Sequence, residues 1–136
     1  MSAREHLLIM FAKAPVPGRV KTRLQPDYRP EDSASLYASF LLDLSERVLS
    51  GSARHDGWLS LAGDQSHPVV EEIAGMGVKV VTQTGGSLGD RMADAIEAGL
   101  AAGYQTVTLI GSDAPTWPMS LLEQGWSVLE SHDAVL

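Results

Sequence analysis

Short apolar segments recur along the chain at the length of β-strands. Residues 7–12 form a continuous apolar run, which is typical of a strand buried on both faces of a parallel sheet. Apolar segments at residues 58–61, 78–82 and 106–110 predict three more strands. Residues 134–136 resemble the beginning of another strand, so we expect the sheet to continue there.

Helical patterns fill the intervals between these segments. A long helix is predicted from about Pro30 to Gly51, with apolar residues at every fourth position: Leu36, Phe40, Leu44 and Val48. Residues 68–74 and 119–130 predict two shorter helices. Another begins at a capping box formed by Ser87 and Asp90, ends at Gly103 and carries an apolar stripe: Leu88, Met92, Ile96 and Leu100. The alternation predicts an α/β fold, a doubly wound, mainly parallel sheet with helices on both faces.

Length and composition narrow the class of protein. With 136 residues, the chain is predicted to form a single domain, 1–136. It has a formal charge of -7 and no cysteine, which argues against nucleic-acid binding and against a disulfide framework. No apolar run approaches the roughly 20 residues that cross a membrane. We therefore expect a cytoplasmic protein without a membrane or nucleic-acid partner.

Positive charge is concentrated after the first predicted strand. Half of the ten Lys and Arg residues lie between Lys13 and Arg29: Lys13, Arg19, Lys21, Arg23 and Arg29. Pro15, Pro17 and Gly18 exclude regular structure there, so residues 12–24 form what we call the basic loop. Its side chains can neutralise a di- or triphosphate, although the loop lacks the spacing of a Walker A motif. Alternatively, these residues form only a solvated surface on an acidic protein.

Two further loops follow predicted strands. The glycine loop, residues 83–91, runs from a strand into the beginning of a helix, where backbone amides and the helix dipole favour an anion. Alternatively, it is a capped turn in which Arg91 pairs with Asp94. The aspartate loop, residues 111–115, places Asp113 after a buried strand, where its carboxylate could hold Mg²⁺ together with phosphate oxygens. An Asx-turn before Pro115 is the structural alternative.

The three loops together resemble a known bacterial family. Residues 11–24, 85–92 and 110–115 occur in the order and spacing of the DUF2064 family of GT-A-like, glycosyltransferase-like proteins, and the resemblance extends over essentially the whole chain. It implies a nucleotide-diphospho-sugar transferase fold, distantly related to guanylyltransferases. Family members continue with an acceptor-side segment that contains Asp-Gly-Gly. This chain ends at Leu136, so we expect a C-terminally truncated domain that lacks this segment.

The resemblance also implies roles for individual residues. Gln83, Gly89 and Arg91 would border the base or ribose. Asp113 would hold a divalent cation, Mg²⁺ or Mn²⁺, and would act in catalysis together with Lys21. Glycosyltransferases usually have Asp-x-Asp at the position where this chain has Gly-Ser-Asp. The basic loop would bind the nucleotide and its phosphates through these residues: Lys13, Gly18, Arg19, Lys21, Thr22 and Arg23.

Three functions remain open from the sequence. The first is a metal-dependent transferase that uses a nucleotide-diphospho-sugar. The second is a nucleotidyltransferase, in which the same loops hold an NTP and attack falls on the α-phosphorus. The third is a non-catalytic nucleotide-binding module. The substrate is thus expected to be a nucleotide-sugar or an NTP, and the sequence does not define the base, the acceptor or the oligomeric state.

Overall fold

The computed structural model describes residues 5–18, 20, 27–49, 55–63, 65–112 and 118–136. Within this part of the chain, four strands alternate with four helices. They follow one another as β1 (His6–Lys13), α1 (Pro30–Leu49), β2 (His55–Ala62), α2 (Pro68–Gly75), β3 (Lys79–Thr82), α3 (Leu88–Ala101), β4 (Thr106–Gly111) and α4 (Met119–Leu129). The predicted α/β alternation is therefore confirmed. None of the four helices is both long and apolar enough to cross a bilayer.

The four strands form one sheet with the order β3-β2-β1-β4. Every neighbouring pair is parallel, and β1 lies between β2 and β4. Four consecutive residues of β1 have no exposed surface, namely Leu7, Leu8, Ile9 and Met10. Burial of each such side chain contributes roughly 1.5–3 kcal/mol. The continuous apolar run thus forms an interior strand that is buried on both faces, and the burial on both faces is as the sequence predicts.

Alternate residues of β1 enter two different cores. Leu8 and Met10 belong to the larger core, which also receives buried side chains from α1, α2 and α4. Leu7 and Ile9 point to the other face, where they join Trp58 and the partly buried Ala95 of α3. Helices therefore cover both faces of the sheet, which confirms the doubly wound architecture.

The helices bury only some of the residues that the spacing suggested. In α1, Leu36 is 40% exposed, whereas Tyr37 and Leu41 are buried together with Leu44 and Val48. In α3, the apolar stripe faces outwards, with Leu88 65% and Leu100 50% exposed. A Cβ at Gly99 would lie only 2.7 Å from a methyl group of Val107 and 2.8 Å from one of Leu7. The larger residues of α3 face away because the helix approaches the sheet through this glycine.

Residues 134–136 do not continue the sheet. They follow α4 as irregular, exposed chain, so the expected further strand is absent from the described part of the molecule. Within that part, β4 pairs only with β1 and is an edge strand of the sheet. The apolar composition of these three residues was therefore not enough to predict a strand.

Candidate functional site

The three loops singled out in the sequence leave the same end of the sheet. Since all four strands are parallel, the residues after β1, β3 and β4 emerge where the strands end, which we call the carboxyl end of the sheet. Open α/β sheets bind ligands in this position. Of the predicted site residues, Lys13, Gly18, Gln83, Gly89 and Arg91 are described by the structure. The predictions for Arg19, Lys21, Thr22, Arg23 and Asp113 lie outside the described residues.

A tyrosine of α1 connects the beginning of the basic loop to the aspartate loop. The backbone N–H of Lys13 donates to the Tyr37 hydroxyl at 3.1 Å. The same hydroxyl is 2.7 Å from Oγ of Ser112, the residue that precedes Asp113. Tyr37 and Ser112 are each only 5% exposed, so this bridge lies in the protein interior. It fixes the position of the end of β1 relative to the end of β4.

Gln83 connects three strands at the carboxyl end. Its side-chain amide nitrogen donates to the carbonyl oxygens of Ala12, at 3.2 Å, and Ser60, at 3.0 Å. Its backbone N–H donates to the carbonyl of Leu61 at 2.9 Å. The residue therefore ties the ends of β1 and β2 to the chain leaving β3. Both side-chain hydrogen bonds use the amide nitrogen. The predicted contact of Gln83 with a base or ribose would therefore use the side-chain oxygen, Oε1.

The glycine loop has a defined backbone conformation and hydrogen bonds between β3 and α3. Gly85 has a φ of 113°, which favours glycine, and a Cβ there would lie 3.0 Å from an Asp94 carboxylate oxygen. The predicted capping box is present. Asp90 N–H donates to Ser87 Oγ at 3.1 Å, and Ser87 N–H donates to Asp90 Oδ2 at 3.4 Å. This arrangement fixes the beginning of α3, including exposed Gly89, relative to the sheet.

Arg91 does not form the ion pair with Asp94 that the structural alternative required. Its Nε donates to the Gly85 carbonyl at 3.4 Å. The Asp94 carboxylate instead accepts from the Thr84 hydroxyl at 3.3 Å. The two side chains therefore form no ion pair with each other, and both line the same cavity.

This cavity lies between α3 and the sheet face that carries the smaller core. Its volume is about 190 Å³. Ile9, Trp58 and Val81 of the smaller core line it, as do Gln83, Arg91 and Asp94 near the carboxyl end. Apolar walls with a few polar groups are typical of small-molecule sites. Sequence reasoning found Gln83 and Arg91 but missed the cavity itself, because separate strands and a helix create it.

The described portion of the basic loop has both an exposed cation and an anchored backbone. Lys13 is exposed, while the N–H of the following residue, Ala14, donates to the Ala62 carbonyl of β2 at 3.0 Å. Gly18 adopts a φ of 81°, and nothing lies within 4 Å of a Cβ placed there. A side chain at this position would be strained because of the positive φ, and not because of contacts with neighbouring atoms.

Arg29, which directly precedes α1, pairs with the first turn of that helix. Its Nε donates to Asp32 Oδ2 at 3.1 Å across the first turn of the helix. The hydrogen bond to Asp32, together with the charges of Asp32 and Glu31, raises the pKa of Arg29 above its usual value. The candidate cations of the basic loop therefore stay those that the sequence indicated: Lys13, Arg19, Lys21 and Arg23.

The sequence did not identify Tyr37, and it did not predict the contacts of Ser112 or the position of Asp94. Tyr37 lies on a helix 24 positions after Lys13, and the hydroxyl bridge joins partners 75 residues apart. No local pattern signals such a contact. Asp94 was noticed only as a possible partner of Arg91, so its position at the cavity could not be predicted.

Comparison with known protein families identifies the family to which this chain belongs. A profile described as "Uncharacterized protein conserved in bacteria (DUF2064)" matches residues 46–136, and the chain belongs to this family. The matched range includes the glycine and aspartate loops, whereas the basic loop lies before it. No curated protein matches the chain.

A solved structure then supports the fold over almost the whole chain. The protein resembles the crystal structure of a "putative nucleotide-diphospho-sugar transferase" from Desulfovibrio desulfuricans G20, with a TM-score of 0.82 and 30% sequence identity. The alignment covers 94% of this chain and 55% of that chain. The GT-A-like fold expected from the resemblance is thereby confirmed. The chain spans only about half the length of the structure that it matches.

Proposed function

We propose that this chain forms the nucleotide-binding part of a transferase that uses a nucleotide-diphospho-sugar. The observation that carries this proposal is the buried bridge from Lys13 through Tyr37 to Ser112. It joins the beginning of the basic loop to the residue before Asp113. The likeness to a structure named as a nucleotide-diphospho-sugar transferase supports the same class of substrate.

In this proposal, the basic loop binds the diphosphate. Lys13, Arg19, Lys21 and Arg23 supply positive charge, and Gly18 with Thr22 brings the backbone and a hydroxyl close to the phosphates. During transfer, an acceptor oxygen forms a bond to the sugar carbon, and the bond from that carbon to the diphosphate breaks. The nucleoside diphosphate leaves with the electron pair, and the proton of the acceptor hydroxyl passes to water. Cationic groups that stabilise the leaving diphosphate lower the barrier, and we assign the largest share to Lys21.

We further propose that Asp113 holds Mg²⁺ or Mn²⁺ with phosphate oxygens of the substrate. Among the described residues, no three His, Asp or Glu side chains lie together in a way that could hold a metal ion. In this proposal the cation is held by Asp113 and by the phosphate oxygens of the ligand, which is a usual arrangement for Mg²⁺ at phosphates. When bound, it would neutralise part of the charge on the diphosphate.

Calorimetric titration tests the proposal directly. UDP, GDP, CDP, ADP and dTDP would each be added to the folded protein with and without Mn²⁺. We expect at least one to bind in a metal-dependent manner, and we expect Asp113→Ala and Lys21→Ala each to weaken that binding by about tenfold or more, or about 1.4 kcal/mol. Asp133→Ala is the matched control, because this exposed carboxylate follows α4.

The outcomes separate the three functions. Absence of binding by every nucleotide to a folded sample would contradict the proposal. Binding that ignores both Mn²⁺ and Asp113→Ala would favour a non-catalytic nucleotide-binding module. Release of pyrophosphate from an NTP would instead identify a nucleotidyltransferase that uses the same loops.

A further inference from the structure

The cavity beside α3 combines an apolar interior with two opposite charges. Ile9, Trp58 and Val81 provide apolar surface from three strands, and Arg91 and Asp94 belong to the first two turns of α3. The volume of about 190 Å³ is too small for a whole nucleotide-sugar, because pockets for drug-sized ligands measure roughly 300–1,000 Å³. A cavity of roughly 150 Å³ accepts benzene. The space is therefore suited to one aromatic ring system.

The location of the cavity connects it to the proposed diphosphate site. Gln83 lines the cavity, and its side-chain amide also donates to the carbonyl of Ala12. The next residue, Lys13, is the exposed last residue of β1, from which the basic loop continues. A nucleotide whose phosphates lie on that loop would consequently have its base on the side of Gln83 and the cavity.

The hydrogen-bonding groups at the cavity favour a particular base. The Asp94 carboxylate accepts one hydrogen bond, from Thr84 to Oδ2, and within the described structure Oδ1 has no donor. Arg91 uses only Nε, for the Gly85 carbonyl, so its terminal nitrogens have no acceptor among the described residues. A carboxylate accepts through two parallel oxygens, and an arginine only donates. The complementary ring edge therefore has two adjacent donors beside one acceptor.

Among the common bases, guanine alone has this edge, with N1–H and the 2-amino group as donors beside the O6 acceptor. We propose that the cavity binds a guanine base, with Asp94 accepting from N1–H and the 2-amino group and Arg91 donating to O6. This inference rests on the proposed function, since it assigns the base of the nucleotide-diphospho-sugar. It also assigns to Asp94 a binding role that the loops alone did not suggest.

Calorimetry with GDP, IDP, UDP, CDP and ADP tests the assignment, because the base of IDP lacks only the 2-amino group. We expect GDP to bind about tenfold more tightly than IDP, and more tightly than the other three. Asp94→Asn is expected to weaken GDP binding by about tenfold and to remove the preference over IDP, since an amide offers only one acceptor oxygen. Glu97→Gln, one turn further along α3 and exposed, should leave both affinities unchanged.

Guanosine provides a separate measurement, because it carries no phosphate. We expect it to compete with GDP, to need no Mn²⁺ and to bind more weakly to Asp94→Asn. Circular dichroism would show that each variant is folded. Equal affinities for GDP and IDP, or an Asp94→Asn effect of the same size on every nucleotide, would overturn the guanine assignment.

Failure of this assignment can be distinguished from failure of the proposed function. Nucleotide binding that depends on Asp113 but shows no base preference would remove only the guanine site. Guanosine binding that depends on Asp94, without any effect of Asp113→Ala on GDP, would retain the guanine site and contradict the metal-dependent transferase. Absence of binding by both guanosine and all nucleotides would contradict both.

Discussion

The two ends of the sheet use polar residues in opposite ways. At the amino end, where the strands begin, His6 and His55 lie opposite each other on β1 and β2 and are only 4% and 3% exposed. Trp126 stacks on His6 with ring centroids 4.5 Å apart and contacts His55 at 5.3 Å. At the carboxyl end, Lys13 is exposed, and Arg91 and Asp94 line an open cavity. The histidines at the amino end are thus enclosed by the protein, whereas the carboxyl end has charged groups accessible to a ligand beside the buried bridge of Tyr37 and Ser112.

Helix α3 shows the same contrast within a single element. Near the amino end, Gly99 brings the helix against Leu7 and Val107. Near the carboxyl end, Arg91 and Asp94 border a space of about 190 Å³ between the helix and the sheet. The helix thus packs closely against the sheet at one end and is separated from it by a cavity at the other.

The largest expected effect is at the amino end. Trp126→Ala removes a 6%-exposed side chain that packs on both histidines and donates to Thr108 Oγ1 at 3.2 Å. We expect it to lower the free energy of unfolding by about 3–5 kcal/mol in urea denaturation. Leu121→Ala on the same helix, where the side chain is 46% exposed, should change the stability by about 0.5 kcal/mol or less. Equal losses in both variants would contradict the packing described for the amino end.

The next effect tests the close approach of α3. Gly99→Ala places a methyl group against Val107 and Leu7, so we expect a loss of about 2 kcal/mol from overpacking, measured by urea denaturation. Gly89→Ala is the matched control on the same helix, because the nearest atom to its added Cβ is 3.8 Å away. Alanine there should be neutral or stabilising by up to about 1 kcal/mol. If Gly99→Ala is as well tolerated, the helix does not depend on this contact.

The smallest change in stability is expected at the carboxyl end, where it should be accompanied by a change in binding. Tyr37→Phe removes the hydroxyl between Lys13 and Ser112 and keeps the ring, so we expect the free energy of unfolding to fall by about 1–2 kcal/mol. GDP titration of the folded variant should show weaker binding, since the basic and aspartate loops lose their connection.

Ser39→Ala on the same helix controls for hydroxyl removal, because its Oγ contacts only a backbone carbonyl of α1 and is exposed. A Tyr37→Phe variant that loses stability yet binds every nucleotide like the original protein would show that the bridge is purely structural.

Local patterns predicted the elements better than they predicted which faces are buried. In α1, Leu36 and Tyr37 are adjacent, and each begins an apolar row along the helix, so spacing alone cannot determine which row faces the sheet. The structure buries Tyr37 and Leu41 of one row together with Leu44 and Val48 of the other, and it leaves Leu36 exposed. In α3, the contact is made through Gly99, which hydrophobic periodicity does not weigh, and Leu88 and Leu100 remain exposed.

The loops were predictable for a different reason. Strand and glycine patterns gave their order, and parallel pairing brings their ends together at one end of the sheet. What the loops contact was not predictable, because the partners are distant in sequence. Gln83 reaches Ala12, 71 residues away, and Tyr37 reaches Ser112 across 75 residues. These bonds depend on the assembled sheet and have no local signature.

The anchoring of the chain between β3 and α3 has a consequence for the kinetics of ligand binding. Gln83 is hydrogen-bonded to β1 and β2, Thr84 donates to Asp94, and the capping box fixes Ser87, so this loop is held at both ends. A loop that is already ordered loses little entropy when a ligand arrives, so more of the contact energy is retained as affinity. We therefore expect association at the cavity to follow a single exponential phase, without a slow step in which the loop rearranges.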